Sequence, residues 1–218
     1  MKNPSFDFII NSINAWQQRK QDKKFITELL HNSYAFEITL PKKRDEKFYH
    51  FYLGLDLYPY LRNEKEEKPQ LYMHIVPASA DTMQNIKKNK ETLADWMTSN
   101  KIETKFNCTN TKITDEEALK RIEAWTTIDA WISYNQVFNG FQIPAEDLNS
   151  TKQLTTLTGY LAIKEEKGLV VPDIVISRIT GDTTLEYYDM ARLCPPFKTQ
   201  VDRNSFGLLD FIYVDKSF

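Results

Sequence analysis

The sequence has few of the residues that build common catalytic and cofactor sites. Its 218 residues include only six glycines, two cysteines and three histidines. Without a glycine-rich cluster there is no phosphate-binding loop, because such a loop brings several backbone amides close to an anion. The two thiols, Cys108 and Cys194, stand alone in the sequence, whereas a zinc ribbon needs paired thiolates. These shortages exclude the common nucleotide-binding loops and structural zinc modules.

Charge balance and the lack of long apolar runs narrow the class of protein further. A formal net charge of −2 argues against a general nucleic-acid-binding protein. No run reaches the ~18 apolar residues of a membrane span, and Phe6–Ile13 is too short and polar for a secretory leader. We therefore expect a cytoplasmic protein with reduced thiols, no membrane association and no cofactor.

Two neighbouring segments, Phe48–Leu57 and Gln70–Val76, alternate apolar and polar residues with the period of a β-strand. Because successive strand side chains point to opposite faces, each segment has one apolar face. We predict an antiparallel pair in which that face is buried, with these core residues: Phe51, Leu53, Leu55, Met73 and Ile75. A register in which paired residue numbers sum to about 130 suits the intervening charged loop and places Asp56 opposite His74.

A third alternating run, Tyr34–Leu40, precedes this pair. The loop that follows it allows a hairpin with the strand that begins at Phe48, which would bring Glu37 near Tyr52 and Thr39 near His50. One sheet face would then carry most of the candidate functional side chains, namely Glu37, His50, Tyr52, Asp56, Tyr72 and His74.

Helical periodicity appears before and after these strands. The segment Pro4–His31 predicts two helices or one bent helix, and Met83–Ser99 predicts another. A capping box at Thr114 predicts a helix that runs to about Tyr134. On an ideal helix Asp129 lies inside its apolar stripe, where a buried carboxylate could act as an acid or base. The favoured alternatives are a carboxylate paired with Arg121 or with a backbone amide, or a helix rotated so that Asp129 leaves the stripe.

The last third of the chain favours strands. Leu154–Ile163 and Leu169–Ile179 are rich in β-branched and apolar residues, and we expect Phe206–Val214 to form a final strand. Helices and strands do not alternate as they do in a parallel α/β sheet. The order predicts an α+β fold, a mainly antiparallel sheet with helices packed on one face, the apolar one. We expect a single domain over residues 1–218, with a subdivision near 140–153 as the alternative.

The polar face of the predicted sheet offers two kinds of chemistry. Asp56 could orient His74 as a general base, which makes His50, Asp56 and His74 the catalytic candidates. Alternatively, the two histidines and a carboxylate could bind a divalent metal ion, although the favoured interpretation has no metal site. A third interpretation is an ordinary solvent-facing sheet surface, where these residue types are common.

Exposed aromatic side chains offer a different kind of site. Trp96 and Trp131 lie on the flanks of predicted helices, and tryptophan and tyrosine are enriched where proteins bind one another. With Tyr52 and Tyr72 they are the binding candidates, and packing between helix and sheet is the alternative.

Two classes of function therefore remain. We expect first an intracellular, non-enzymatic protein-binding module that acts as a regulator, an inhibitor or an immunity-type partner. The alternative is a small hydrolase that uses the His/Asp cluster, with or without a metal ion. No motif in the sequence is specific enough to assign a family.

Overall fold

The computed structural model describes residues 4–41, 46–57, 68–88, 90–103, 116–134, 137–148, 154–166, 168–180, 184–188, 192–194 and 206–214. The helices are α1 (Phe6–Arg19), α2 (Lys23–His31), α3 (Met83–Lys88), α4 (Lys90–Ala94), α5 (Glu116–Ala124), α6 (Ile128–Tyr134), α7 (Ala145–Leu148) and α8 (Gly207–Val214). The strands are β1 (Ala35–Glu37), β2 (Phe48–Asp56), β3 (Gln70–Pro77), β4 (Thr98–Lys101), β5 (Gly140–Pro144), β6 (Leu154–Glu166), β7 (Leu169–Thr180), β8 (Thr184–Tyr188) and β9 (Arg192–Cys194).

The strands form two antiparallel sheets. Sheet A has the order β1-β6-β7-β8, and sheet B has the order β4-β3-β2-β5-β9. Backbone hydrogen bonds between Ala35 and Glu103 join β1 to the segment that follows β4, so the two sheets adjoin along one side. The predicted α+β class with antiparallel strands is confirmed, and the strands are divided between two sheets.

The main hydrophobic core lies between the two sheets. The apolar face of β2 and β3 packs there against apolar residues of β1, β6 and β7, with Phe36 and Phe51 in edge-to-face contact at 6.4 Å. The five predicted core residues Phe51, Leu53, Leu55, Met73 and Ile75 are all buried. Trp125, Ile128 and Ile132 close one part of this core.

Several of the described helices contribute to clusters on the outer faces of the sheets. On sheet B, α1, α3 and α8 bury apolar side chains in a second cluster with Tyr52 and Val76. On sheet A, Ala118 of α5 packs against Ala162 and Val175. Helices were expected on the apolar face of the sheet. Residues of α2 and α6 pack in the main core on that side, and α1, α3 and α8 lie on the opposite face of sheet B.

The β2–β3 pair is confirmed, but its register differs from the predicted one. Paired residue numbers sum to 126, so that Asp56 faces Gln70 and His74 faces Tyr52. Burying both apolar faces on the same side requires only an even sum, which 126 satisfies as well as 130 does. Asp56 and His74 are therefore not opposite each other.

Strand β1 is not the hairpin partner of β2. It pairs with β6, where Glu37 lies opposite Thr158, because both edges of β2 are occupied by β3 and β5. Glu37 is exposed and does not belong to the face that carries the histidines, and the predicted contacts of Glu37 with Tyr52 and of Thr39 with His50 are not formed.

One further prediction is wrong at the level of local structure, and at Asp129 the alternative of a rotated helix is the one that the structure agrees with. Phe206–Val214 contains a helix, α8, with a buried face that includes Leu208, Leu209, Phe211 and Ile212. A short apolar run does not distinguish a strand from a buried helix by its period. Asp129 is exposed, because a 3-10 turn at Trp125–Thr127 changes the helical phase before α6. The capping box at Thr114 lies outside the described residues.

Candidate functional site

The polar face of β2 and β3 lies beneath helices. We call it the outer face of sheet B, and it carries His50, Tyr52 and Gly54 from β2 and Tyr72 and His74 from β3. Helix α1 packs along β2, and α8 contributes to the same apolar cluster as Tyr52. As a result His50, Tyr52 and His74 are almost completely buried. The interpretation of this face as a solvent-facing surface is wrong for these three residues.

His74 is held between two serine hydroxyls from distant segments. Ser12 Oγ on α1 lies 2.7 Å from His74 Nε2, and Ser99 Oγ on β4 lies 2.6 Å from His74 Nδ1. The Ser12 hydroxyl donates its one proton to the carbonyl oxygen of Ile9 at 2.9 Å. Ser12 Oγ is then the acceptor for Nε2–H, and Nδ1 accepts from Ser99. This pattern describes a neutral imidazole with both nitrogens satisfied.

Burial keeps this histidine neutral. Desolvation lowers the pKa of His74 from 6.5 to about 3, because the charged ring would lose its hydration. The ring also needs space that only glycine leaves. A Cβ atom at Gly54 would lie 2.2 Å from His74 Nε2 and 2.7 Å from Ser12 Oγ. Gly54 therefore lies within β2 because the imidazole fills the position of its side chain.

A second buried cluster forms around Asp81, which follows β3. Its Oδ2 accepts from His50 Nδ1 at 2.6 Å and from the Tyr52 hydroxyl, and its Oδ1 accepts from the Leu208 amide at 2.8 Å. The ring of Phe206 stacks on His50 with a centroid distance of 4.3 Å. One carboxylate thus joins the outer face of sheet B to the first turn of α8.

The other nitrogen of His50 is also occupied. The side-chain amide nitrogen of Gln142, on β5, lies 3.3 Å from His50 Nε2, and the two residues are cross-strand partners. If the amide donates, His50 is the neutral tautomer that donates Nδ1–H to Asp81. A carboxylate that orients an imidazole is the arrangement of a general base, but Gln142 covers the nitrogen that would accept the proton.

The two histidine clusters are separate networks. The structure places His50 and His74 on one sheet face, as predicted from the period of the strand, but each has its own partners. Asp56, at the end of β2, belongs to neither. Its charge instead adds to burial, the larger cause, in raising the pKa of the partly buried Tyr72.

Ser12 and His74 have the spacing of a nucleophile and its base. Both residues are buried, Ser12 at 4% and His74 at 0% exposure, and the Ser12 hydroxyl is directed to the Ile9 carbonyl. Among the described residues, no group of three or more His, Cys, Asp or Glu side chains could hold a metal ion. The arrangement therefore supports packing of α1 on the sheet more directly than it supports chemistry.

The predicted binding residues have different environments. Tyr52 is fully buried, and Tyr72 stacks on His74 with ring centroids 6.0 Å apart. Trp96 is partly buried against the cluster on the outer face of sheet B. Trp131 is partly buried against the main core, and its indole Nε1 donates to the Val170 carbonyl at 2.8 Å.

Four residues of these networks escaped sequence reasoning: Ser12, Asp81, Ser99 and Gln142. Only Ser12 stands out in the sequence, as a polar residue on the apolar stripe formed by Ile9, Ile13 and Trp16. A polar residue on a buried stripe needs a hydrogen-bond partner, and that requirement could have pointed to a histidine of the sheet.

Sheet A buries an ionisable cluster of its own beside α5. Asp173 is fully buried, and its carboxylate lies 3.3 Å from Lys164 Nζ and 3.5 Å from Arg121 Nη1. Burial raises the pKa of Asp173, while Lys164, the Ile174 amide and Arg121 oppose that shift. Neither carboxylate oxygen has a hydrogen bond of normal geometry among the described residues.

Comparison of this chain with protein-family models, with curated proteins and with solved structures finds no match in any of the three. No helix among the described residues is long and apolar enough to cross a bilayer.

Proposed function

We propose that this chain is an intracellular, non-enzymatic module that binds another protein, as a regulator, an inhibitor or an immunity-type partner. The observation that carries the proposal is a contrast in exposure between the candidate catalytic histidines and the large apolar side chains. The two sheet histidines are buried and hydrogen-bonded within the fold, whereas large apolar side chains are exposed at the turn between β6 and β7.

Three residues define this surface, which we call the hairpin patch: Leu169, Val170 and Trp131. Leu169 is 67% exposed and Val170 is 52% exposed, and Trp131 is bonded to the Val170 carbonyl. Clustered apolar and aromatic side chains favour protein–protein contact, because their burial in an interface removes apolar surface from water.

The test compares two equally drastic surface changes. Val170→Asp alters the hairpin patch, and Val214→Asp is the matched control, since Val214 is 65% exposed at the end of α8. Proteins captured from the native host by wild type are identified, and the dissociation constant of each purified candidate is measured against all three chains. We expect Val170→Asp to weaken binding at least about tenfold, or roughly 1.4 kcal/mol, and Val214→Asp to leave it unchanged.

Equal binding by wild type and both variants would refute the hairpin patch as the binding surface. Saturable turnover of a substrate by wild type would refute the non-enzymatic assignment.

One observation favours the hydrolase alternative, namely the carboxylate–imidazole pair of Asp81 and His50. Catalysis there requires His50 Nε2 to be released from Gln142. Hydrolysis of ester or phosphoester reporters by wild type, lost in His50→Gln with folding retained, would establish it. Activity that survives this change would exclude His50 as its base.

A further inference from the structure

Ser12 and Ser99 contact opposite nitrogens of His74, but they differ in exposure. Ser12 on α1 is buried, whereas Ser99 is partly exposed on β4, the strand at one end of sheet B. His74 and Ser99 are cross-strand partners, so both side chains lie on the outer face of that sheet. Of the two serines, Ser99 is therefore the one that solvent and a small reagent reach.

The hydrogen bonds of His74 have the direction that a general base needs. Ser12 Oγ donates its proton to the Ile9 carbonyl oxygen and so accepts from His74 Nε2–H. This fixes the tautomer in which Nδ1 carries the lone pair, and Nδ1 lies 2.6 Å from Ser99 Oγ. A hydroxyl, an imidazole within hydrogen-bond reach and a third group that orients the imidazole are the parts of an activated nucleophile.

Two aromatic rings and a cation lie near this hydroxyl–imidazole pair. Tyr72 stacks on His74 with ring centroids 6.0 Å apart, and Phe8 lies edge-on to these two rings at 5.2 and 6.0 Å. Phe8 and Tyr72 are partly exposed, so they offer an apolar surface to the hydrocarbon part of an acyl group. Lys101 is exposed on the same face, two residues after Ser99 and opposite Tyr72. A cation there favours the negative charge that develops on an acyl oxygen.

We propose that Ser99 is a nucleophile that accepts an acyl group from an activated ester, with His74 Nδ1 as its base and Ser12 as the residue that positions the imidazole. The bond from Ser99 Oγ to the carbonyl carbon forms as the bond to the leaving group breaks. The Ser99 proton passes through His74 Nδ1 to the leaving group, and the product is a serine ester. This single covalent step goes beyond the proposed binding function and does not involve the hairpin patch.

Burial decides which donors react and how the reaction depends on pH. Because burial lowers the pKa of His74 to about 3, the imidazole is a weak base and the donor needs a good leaving group. The same imidazole stays unprotonated between about pH 5.5 and 8. Tyr72 also stays neutral in this range, because burial and, less strongly, the charge of Asp56 raise its pKa. The reaction rate should therefore not fall between about pH 8 and 5.5.

The test uses an alkyl fluorophosphonate, which transfers a phosphonyl group to an activated serine hydroxyl with loss of fluoride. Peptide mass spectrometry of the full-length chain measures the labelling rates of Ser99 and Ser5. Ser5 is the internal control, because it is an exposed serine whose Oγ accepts from the Phe8 amide rather than contacting a histidine. We expect Ser99 to be labelled at least about tenfold faster than Ser5.

Three variants assign the roles. Ser99→Ala should lose the label at this position, and His74→Gln should reduce labelling of Ser99 to the rate of Ser5. Ser12→Ala should slow labelling of Ser99. Nitrogen NMR of His74 should show the Nε2–H tautomer in wild type and a mixture of tautomers in Ser12→Ala, which distinguishes positioning of the imidazole from a general loss of packing.

The proposal is overturned if Ser99 in the folded wild type is labelled no faster than Ser5, or if folded His74→Gln is labelled at the wild-type rate. Should His74→Gln not fold, measurements on wild type decide. A labelling rate that falls below about pH 6.5, as with an ordinary histidine, or a His74 found as the Nδ1–H tautomer would overturn the proposal.

Discussion

The outer faces of the two sheets both bury ionisable side chains beneath a helix. The two faces differ in the hydrogen-bond and ionic partners that they offer to these side chains. On sheet B, His74 has a hydroxyl partner at each nitrogen, and Asp81 accepts from three donors. On sheet A, Asp173 has two cations at 3.3 and 3.5 Å and no well-formed hydrogen bond among the described residues.

The two sets of contacts both connect separate elements, but the exposure of the partners differs. Asp81 and His74 bond to residues of α1, β4 and α8, and Asp173 on β7 lies beside side chains of β6 and α5. The partners of Asp173 are side chains near the surface, Lys164 at 16% and Arg121 at 21% exposure. Hydrogen bonds that a buried group loses are costly, whereas cations near the surface can turn to water. The networks of sheet B should therefore matter more for stability.

The largest expected effect is at Asp81. Asp81→Ala leaves the His50, Tyr52 and Leu208 donors without their acceptor and should lower the free energy of unfolding by about 3–5 kcal/mol. Chemical denaturation measures the loss, with Asp173→Ala as the matched control on sheet A. Equal decreases in the free energy of unfolding for the two variants would contradict the expectation that the networks of sheet B matter more for stability.

The second effect is a pH dependence that belongs to His74. Its pKa is about 3 in the folded protein and 6.5 as the ordinary value, so the unfolded chain binds the proton first. The contribution of His74 to the free energy of unfolding has its full value above about pH 6.5. It falls as pH decreases, by up to about 1.4 kcal/mol per pH unit.

Denaturation at a series of pH values between 7 and about 4.5 measures this slope. His74→Gln should reduce the slope, and His31→Gln, at an exposed position on α2, should not. An unchanged slope in His74→Gln would show that His74 does not carry the effect.

A third effect concerns the space that Gly54 leaves for His74. Gly54→Ala places a Cβ atom against His74 Nε2 and Ser12 Oγ, and the overpacking should cost about 2 kcal/mol. The control is Gly168→Ala, where a Cβ meets nothing within 4 Å but the φ of 76° is strained for alanine. We expect about 1 kcal/mol there. A smaller loss at Gly54 than at Gly168 would show that the imidazole can move aside.

The smallest expected effect is on sheet A. Asp173→Asn removes the charge but keeps the shape, and should change the free energy of unfolding by less than about 1 kcal/mol. Because the pKa of Asp173 is raised, its ionisation disfavours the folded state as pH rises above the ordinary value. The difference between variant and wild type should therefore shift in favour of the variant as pH rises through the folded-state pKa of Asp173. A decrease of several kcal/mol in the free energy of unfolding would show that Asp173 matters for stability as much as Asp81 does.

Local periodicity decided several features of this protein. The alternation in β2 and β3 determines which residues are buried in the main core and that His50, Tyr52 and His74 share a face, because successive side chains of a strand must point to opposite sides. The same rule requires an even register sum but cannot choose between 126 and 130.

Tertiary structure decided the rest. Whether β1 pairs with β2 or β6 depends on which strand edges remain open, and whether Phe206–Val214 becomes a strand or a helix depends on the surface that it covers. Ser12, Asp81, Ser99 and Gln142 meet the histidines across long separations in sequence, so no local period predicts them. The sequence determines the composition of each face through backbone geometry. Long-range packing determines which element covers each face. The hydrophobic effect is not directional, so any apolar surface of matching shape can bury an apolar face.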